Sequence, residues 1–333
     1  MTHELKSIIQ QYEKRQERAV LATVAALDGS SYRRPGVRML IFENGDMVGA
    51  VSGGCVEKEV LYQAQSVFSS DMPKVMTYDG RYRLGCEGIL YILLEPFAPN
   101  TDFLEHFWKC IEARAAFQTT SYFQKEHSEA PNYRTVFHFG DTTWDISSPK
   151  KRQVEGLLSF HQEMDPCFRL LIIGAEHDAV QLCQYASLTG WEVTVVANPR
   201  EEKTERDFPG IHKLIQMEPE SFTYNLDDQT AVVIMTHSFV KDLQFVMALK
   251  EERGAYIGLL GPAKRKEKLF GELLERCPDI SESFLERLHG PAGIDIGAET
   301  PQEISISILA EILSTINKIK PQPLKHKEGK IHS

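Results

Sequence analysis

The chain has 333 residues, 42% hydrophobic and 25% charged, with a formal net charge of −10 at pH 7. That length exceeds one typical core of ~150 residues and predicts two domains of an ordinary soluble globular protein. The acidic balance excludes non-specific nucleic-acid binding, which needs a basic face. No apolar run reaches the ~18 residues of a membrane span, and the start MTHELKSIIQQYEKRQER is no signal peptide, so a cytoplasmic location is expected.

In the first part, Leu5–Arg18 reads as an amphipathic helix and Ala19–Leu27 as a buried strand. Val37–Phe42 and Asp46–Val51 flank Asn44-Gly45, a hairpin signal that predicts a type I′ turn with φ > 0 at both central residues. The hairpin runs into Ser52-Gly53-Gly54-Cys55-Val56-Glu57. Val56, Val60, Leu61, Ala64, Val67 and Phe68 then repeat at helical spacing. Lys74–Tyr78 and Ile89–Leu94 read as strands, Asp102–Ala116 as a helix, and Thr119–Phe123 and Arg134–Phe139 as further strands. Ser147–Lys151 marks a link to the second domain.

From Phe168 the pattern alternates. Phe168–Ile173, Glu192–Val196, Ala231–Met235 and Tyr256–Leu260 are short apolar runs of the kind buried in a parallel sheet. Helices are expected at His177–Leu188, Phe239–Arg253 and Ala263–Cys277. Thr300-Pro301-Gln302-Glu303 supplies a capping box with Pro at N1 for a last helix to about Ile319. The expected fold is therefore α/β: an N-terminal α+β domain (1–150), a C-terminal Rossmann-like doubly wound parallel sheet (151–320) and a flexible polar tail (321–333). In such sheets ligands sit at the carboxyl ends of the strands.

The six cysteines (55, 86, 110, 167, 183, 277) include no CxxC and no close pair. Neither a disulfide framework nor a structural zinc site is expected, and no metal site is assigned. Cys183, inside an apolar helical pattern, reads as a reduced core thiol. Cys55 is different. Two glycines deliver it to a helix start, where unpaired N–H groups and a partial positive charge lower a thiol pKa from about 8.5. The alternatives are a ligand-handling thiol, with Ser52, Gly53 and Gly54 around it, and a small packed one. Glu57 is a dipole partner, or a charge that repels an anion if it points inward. Arg34 and Arg38 flank the Pro35-Gly36 turn and suit phosphate or oxo groups, against a solvated basic turn. Cys86 is a weaker second thiol.

Several stretches together resemble the XdhC/CoxI family of accessory proteins for molybdenum hydroxylases. They are Gly29–Met39, Ser52–Glu57, Ile173-Gly174-Ala175-Glu176-His177, Thr236-His237, Tyr256–Gly261 and His289–Ala298 with the capped helix after it. The resemblance implies a chaperone that binds the molybdenum cofactor (molybdopterin) as cargo. It also implies help with the cofactor's sulfuration and with its insertion into a xanthine dehydrogenase-type hydroxylase. That hydroxylase and a cysteine desulfurase are the implied partners, and a homodimer is expected, with Leu285–Ile296 offering apolar surface. The chain lacks the cysteine clusters of an iron–sulfur hydroxylase and reads as a maturation chaperone rather than a self-contained enzyme. Where relatives have Cys-Gly-Gly, this chain has Cys86-Glu87-Gly88.

Two dinucleotide determinants are altered. Glu176 stands where the fingerprint needs the glycine that lets backbone approach a pyrophosphate, and Asn198 stands where an acidic residue would bind ribose. Ordinary NAD(P) binding is therefore not expected. His177, His237 and His289 are placed on loops at one sheet edge, and Gly258 and Gly261 before Lys264-Arg265-Lys266 are a candidate phosphate cradle. The leading expectation is a cofactor-maturation protein with a cleft between its domains. The alternatives are an NAD(P)-dependent oxidoreductase and a scaffold whose ligand site has decayed.

Overall fold

Small and β-branched residues at 19–28 make a strand buried on both faces, and the first half of the chain is built around it. The computed structural model describes residues 1–29, 34–82, 88–146 and 153–327, excepting the side chains of Cys55 and Tyr82. It divides into two compact units, Met1–Pro166 and Cys167–Ser333.

The first unit runs α1 (Thr2–Arg15), β1 (Ala19–Asp28), β2 (Arg38–Phe42), β3 (Met47–Gly49), α2 (Cys55–Ser70), β4 (Lys74–Asp79), β5 (Ile89–Phe97), α3 (Thr101–Glu112) and β6 (Phe117–Phe123). It continues with β7 (Ser128–Glu129), β8 (Arg134–Phe139), β9 (Thr142–Asp145) and β10 (Leu158–Met164). One sheet has the order β3-β2-β1-β5-β4-β7 and a second the order β10-β6-β8-β9. On α2, the apolar stripe Val56, Val60, Ala64, Val67 and Phe68 packs against Val20, Ala22, Met39, Ile92 and Leu94. The opposite side of the first sheet meets α1, α3 and a cluster of phenylalanines, among them Phe103, Phe107, Phe117 and Phe137.

Two details depart from the sequence expectation. The Asn44-Gly45 turn is not type I′: Gly45 has φ 91° while Asn44 keeps an ordinary φ. Phe42 O accepts from Gly45 N at 2.9 Å, and Asn44 Oδ1 accepts from Asp46 N at 2.9 Å. The asparagine side chain thus fixes a three-residue loop with a bulge glycine. Secondly, the expected domain boundary at 150/151 would cut off β10, yet Leu158–Met164 pairs antiparallel with β6 along its length. The division falls after Pro166. The expected link Ser147–Lys151 lies outside the described residues, as does 328–333 of the expected tail.

The second unit contains β11 (Arg169–Ile173), α4 (His177–Leu188), β12 (Glu192–Ala197), β13 (Lys213–Gln216), β14 (Thr230–Ile234), α5 (Phe239–Ala248) and β15 (Tyr256–Leu259). After these come α6 (Ala263–Arg276), α7 (Glu282–Glu286), β16 (Leu288–His289) and α8 (Pro301–Ile316). All strand pairs are parallel, in the order β13-β12-β11-β14-β15-β16. This is the 3-2-1-4-5-6 order of dinucleotide-binding sheets, with its switch point between β11 and β14. Alternate residues of β11 face opposite layers. Leu170 and Ile172 meet Ala179, Leu182 and Cys183 of α4 and Ile308 and Ile312 of α8. Leu171 and Ile173 meet Leu243 and Val246 of α5 and Leu269 and Leu273 of α6. Burial in the first of these layers pushes the Cys183 thiol up to about 12. The last helix is capped as expected: Thr300 Oγ1 accepts from Glu303 N, and Glu303 Oε2 accepts from Thr300 N. No helix among the described residues is long and apolar enough to cross a membrane.

Candidate functional site

The loop between β3 and α2 brings Ser52, Gly53 and Gly54 to the start of a 16-residue helix whose first residue is Cys55. Gly54 is the N-cap, at φ 140°, a conformation that L side chains rarely adopt. A Cβ added at Gly53 or Gly54 would meet nothing within 4 Å, so the two glycines present bare, exposed backbone. The underside is closed by Glu57. Its Oε2 accepts from Gly54 N and its Oε1 from Ser52 N, both at 2.7 Å, and the residue is only 9% exposed. Glu57 therefore points inward and binds two of the N–H groups that an anion would otherwise use. What remains is an open glycine surface with a carboxylate behind it, suited to a ligand that approaches backbone closely.

Arg34 is exposed on the turn that leads into β2. Arg38, expected beside it as a ligand residue, is instead buried in β2. Its Nη1 donates to Gly36 O (3.0 Å) and Gln162 Oε1 (2.8 Å), and its Nη2 to Thr119 Oγ1 (2.8 Å). Burial lowers its pKa to about 10, against the opposing pull of Glu95. Arg38 ties the two sheets of the unit together, because strand alternation turns position 38 inward. Cys86 lies outside the described residues.

In the second unit, the loops after β11 and β14 meet at the switch point. Gly174 has φ 132°, and a Cβ there would lie 2.4 Å from Met235 O, so only glycine passes. Glu176 caps α4 by its backbone and is exposed with His177. His237 adopts a left-handed φ of 57° and sets its Nε2 3.8 Å from Asp178 Oδ2 in the first turn of α4. Thr236 is held by the buried Asp242, whose Oδ1 accepts from Thr236 Oγ1 at 2.5 Å and whose other oxygen pairs with Arg265 at 2.5 Å. Gly174, His177 and His237 thus lie at the carboxyl edge, as expected from the sequence.

His289 does not join them. It sits opposite Gly258 in the β15–β16 ladder, with its ring stacked on Tyr256 at 4.4 Å. Its Nδ1 is 3.1 Å from Glu311 Oε1, while Glu311 Oε2 accepts from Tyr256 Oη (2.5 Å) and Gly293 N (2.7 Å). Burial pushes the Glu311 carboxyl up, but the bonds from His289, Tyr256 and Gly293 outweigh it and leave it below its usual range. The phosphate cradle expected of Gly258 and Gly261 is also filled. A Cβ at Gly258 would collide with Tyr256, and Arg265 lies over Gly261 with its guanidinium on Asp242. Sequence reasoning missed Glu311, Asp242 and Tyr256. The only local signal was an acidic residue beside the apolar stripe of a final helix. Among the described residues, no group of three or more His, Cys, Asp or Glu is placed to hold a metal ion.

Residues 13–79 match the XdhC and CoxI family, and residues 170–312 match the XdhC Rossmann domain. A probable xanthine dehydrogenase subunit from Bacillus subtilis (strain 168) is 30% identical, over 91% of this chain and 95% of that protein. The chain belongs to the XdhC and CoxI family. Its molybdenum cofactor insertion chaperone relative PaoD, from Escherichia coli (strain K12), is 23% identical over 89% of this chain and 83% of that protein. The crystal structure of a xanthine dehydrogenase from Bacillus halodurans superposes with a TM-score of 0.77 at 26% identity, covering 96% of this chain and 98% of that one. The first family match contains Arg34, Arg38 and Ser52–Glu57. The second contains Gly174, His177, His237, Gly258, Gly261, His289 and Glu311.

Proposed function

We propose that this XdhC/CoxI protein binds the molybdenum cofactor as cargo and assists its sulfuration and insertion into a xanthine dehydrogenase-type hydroxylase. One observation carries the reading: likeness along nine-tenths of the chain to a relative named as a molybdenum cofactor insertion chaperone. The open Gly53-Gly54 surface supports it only in letting a large ligand approach backbone closely, since the inward Glu57 carboxylate behind it disfavours an anionic group there. In this reading Cys55 handles the sulfur-bearing end, Arg34 meets phosphate or oxo groups, and Cys86 is a second thiol. The hydroxylase and a cysteine desulfurase are the partners, in the cytoplasm, with the protein acting as a homodimer.

Anaerobic reconstitution of the full chain with isolated cofactor tests the reading. Retention of molybdopterin is expected, and Cys55→Ser is expected to reduce retention or sulfuration while the fold persists. A wild type that retains none, under conditions that load a known acceptor, overturns it. The sheet order favours a second reading, an NAD(P)-dependent oxidoreductase. Glu176, placed where the fingerprint brings backbone against a pyrophosphate, counts against it, and micromolar NAD(H) binding by calorimetry would reverse the ranking.

A further inference from the structure

A cavity of about 80 Å³ opens at the carboxyl ends of β11, β12 and β13, beside the loop after β14. That is small against the ~300 Å³ or more of a pocket that encloses a whole drug-sized ligand, and it matches one part of a nucleotide rather than a dinucleotide. Its position is the one where a doubly wound sheet receives the nucleoside end of its ligand.

At the end of β12, where an acidic residue would take the ribose hydroxyls, stands Asn198. Its side chain is already engaged. The carbonyl accepts from Arg200 N at 2.9 Å, and Nδ2 donates to Glu218 Oε2 at 3.1 Å. Glu218 arrives from the neighbouring strand: Met217 N donates to Ala197 O at 3.0 Å, which continues the β12–β13 ladder and sets Glu218 beside Asn198. The carboxylate missing from β12 is thus delivered by the end of β13, and Asn198 is its prop.

Asn198 gives the Glu218 carboxylate its one direct hydrogen bond among the described residues. Two cations stand farther off: Arg200 Nε is 3.9 Å from Oε1, and Lys241 Nζ is 3.9 Å from Oε2. Neither is within hydrogen-bond distance, so both leave acceptor sites open, and a carboxylate has about four of these. The side chain is 34% exposed and lines the cavity. Met217, Pro219 and Phe245 line it too and supply apolar surface on which a base could rest. Glu176 borders the side where a diphosphate would lie and repels it.

We propose that this cavity binds the nucleoside moiety of a ligand with a free 2′,3′-diol, and that the Glu218 carboxylate, propped by Asn198, chelates the two hydroxyls. The site uses neither Cys55 nor the Gly53-Gly54 surface, so it stands or falls separately from the cargo reading.

Titration calorimetry on the full chain with adenosine, 2′,3′-dideoxyadenosine and adenosine 2′-monophosphate tests this. Adenosine is expected to bind saturably at millimolar concentration or below. The dideoxy compound is expected to bind at least ~10-fold more weakly, the effect of losing hydrogen bonds to a charged acceptor. Glu218→Gln should weaken adenosine by a similar factor and leave little discrimination between the two compounds, with circular dichroism reporting that the variant is folded. Absence of adenosine binding, equal binding of the dideoxy compound, or tighter binding of the 2′-phosphate would each overturn the proposal. The comparison of ligands on the wild type decides the matter even if the variant does not fold.

Discussion

Glu57 reaches back from the first turn of α2 to accept the backbone N–H of Gly54 at 2.7 Å, and its other oxygen takes that of Ser52. Glycine has no side chain to return the bond, so the cap is one-sided and depends on this carboxylate. Glu57→Ala is expected to cost the first unit about 1–2 kcal/mol, in the range of a lost helix cap, and Glu57→Gln less, because one oxygen remains. Urea unfolding followed by circular dichroism measures this. An unchanged midpoint for Glu57→Ala would show that other contacts hold the loop.

The two glycines before Cys55 make a discriminating pair. Gly54 sits at φ 140°, so Gly54→Ala is expected to destabilise by about 1–3 kcal/mol through backbone strain. Gly53 has no such φ and faces open space, so Gly53→Ala should leave stability within about 0.5 kcal/mol of wild type. Its added methyl stands on the exposed backbone that the cargo would approach. Gly53→Ala is therefore expected to lower molybdopterin retention in the reconstitution assay without lowering the melting temperature. Full retention would remove the glycine surface from the binding site.

Much of the second unit was legible because a buried parallel strand and a capped helix are local events. Short apolar runs and the Thr300–Glu303 box placed β11, β12, β14, β15 and α8 within a few residues. The side chains that complete the candidate sites were not legible, since their meaning depends on what crosses over them. Arg38 beside a Pro-Gly turn looks like a surface cation until strand alternation turns it toward Thr119 and Gln162, 81 and 124 residues away in sequence. His289 looks like a rim histidine until Glu311, on the last helix, captures it. β10 was missed because 158–164 alternates exposed polar residues with few apolar ones, and only its pairing with β6 makes it a strand.

Glu311 is the hub that fixes the segment after β16. Tyr256 is fully buried, and the same carboxylate oxygen serves its hydroxyl and Gly293 N, so removing it strands both donors. Glu311→Ala is expected to destabilise the second unit by about 2–4 kcal/mol. With its carboxyl held below the usual range, Glu311 contributes stability that is present above pH 4.5 and is lost as pH falls through its folded pKa. Glu311→Gln keeps an acceptor but does not titrate, and should flatten that acid limb. An acid limb as steep as wild type in Glu311→Gln would assign it to other carboxylates.

Glu95 gives the first unit a pH dependence of opposite sign. It is fully buried in β5; one oxygen accepts from Thr135 N at 2.9 Å, and the other, like Arg38 Nε, has no hydrogen-bond partner among the described residues. Burial pushes its carboxyl up to about 7, and the Thr135 bonds and Arg38 offset only part of that rise. The folded chain therefore holds this proton more tightly than the unfolded chain, whose carboxyl titrates near 4.5. Between those values the native state binds more protons, so stability falls as pH rises from about 4.5 to about 7, by on the order of 3 kcal/mol. Glu95→Gln keeps an acceptor for Thr135 N and carries no charge. It should match wild type near pH 4.5, exceed it above pH 7, and so flatten the slope seen in urea unfolding of the first unit's signal. Should Glu95→Gln be the less stable protein above pH 7, the ionised carboxylate would be making a net favourable pair with Arg38.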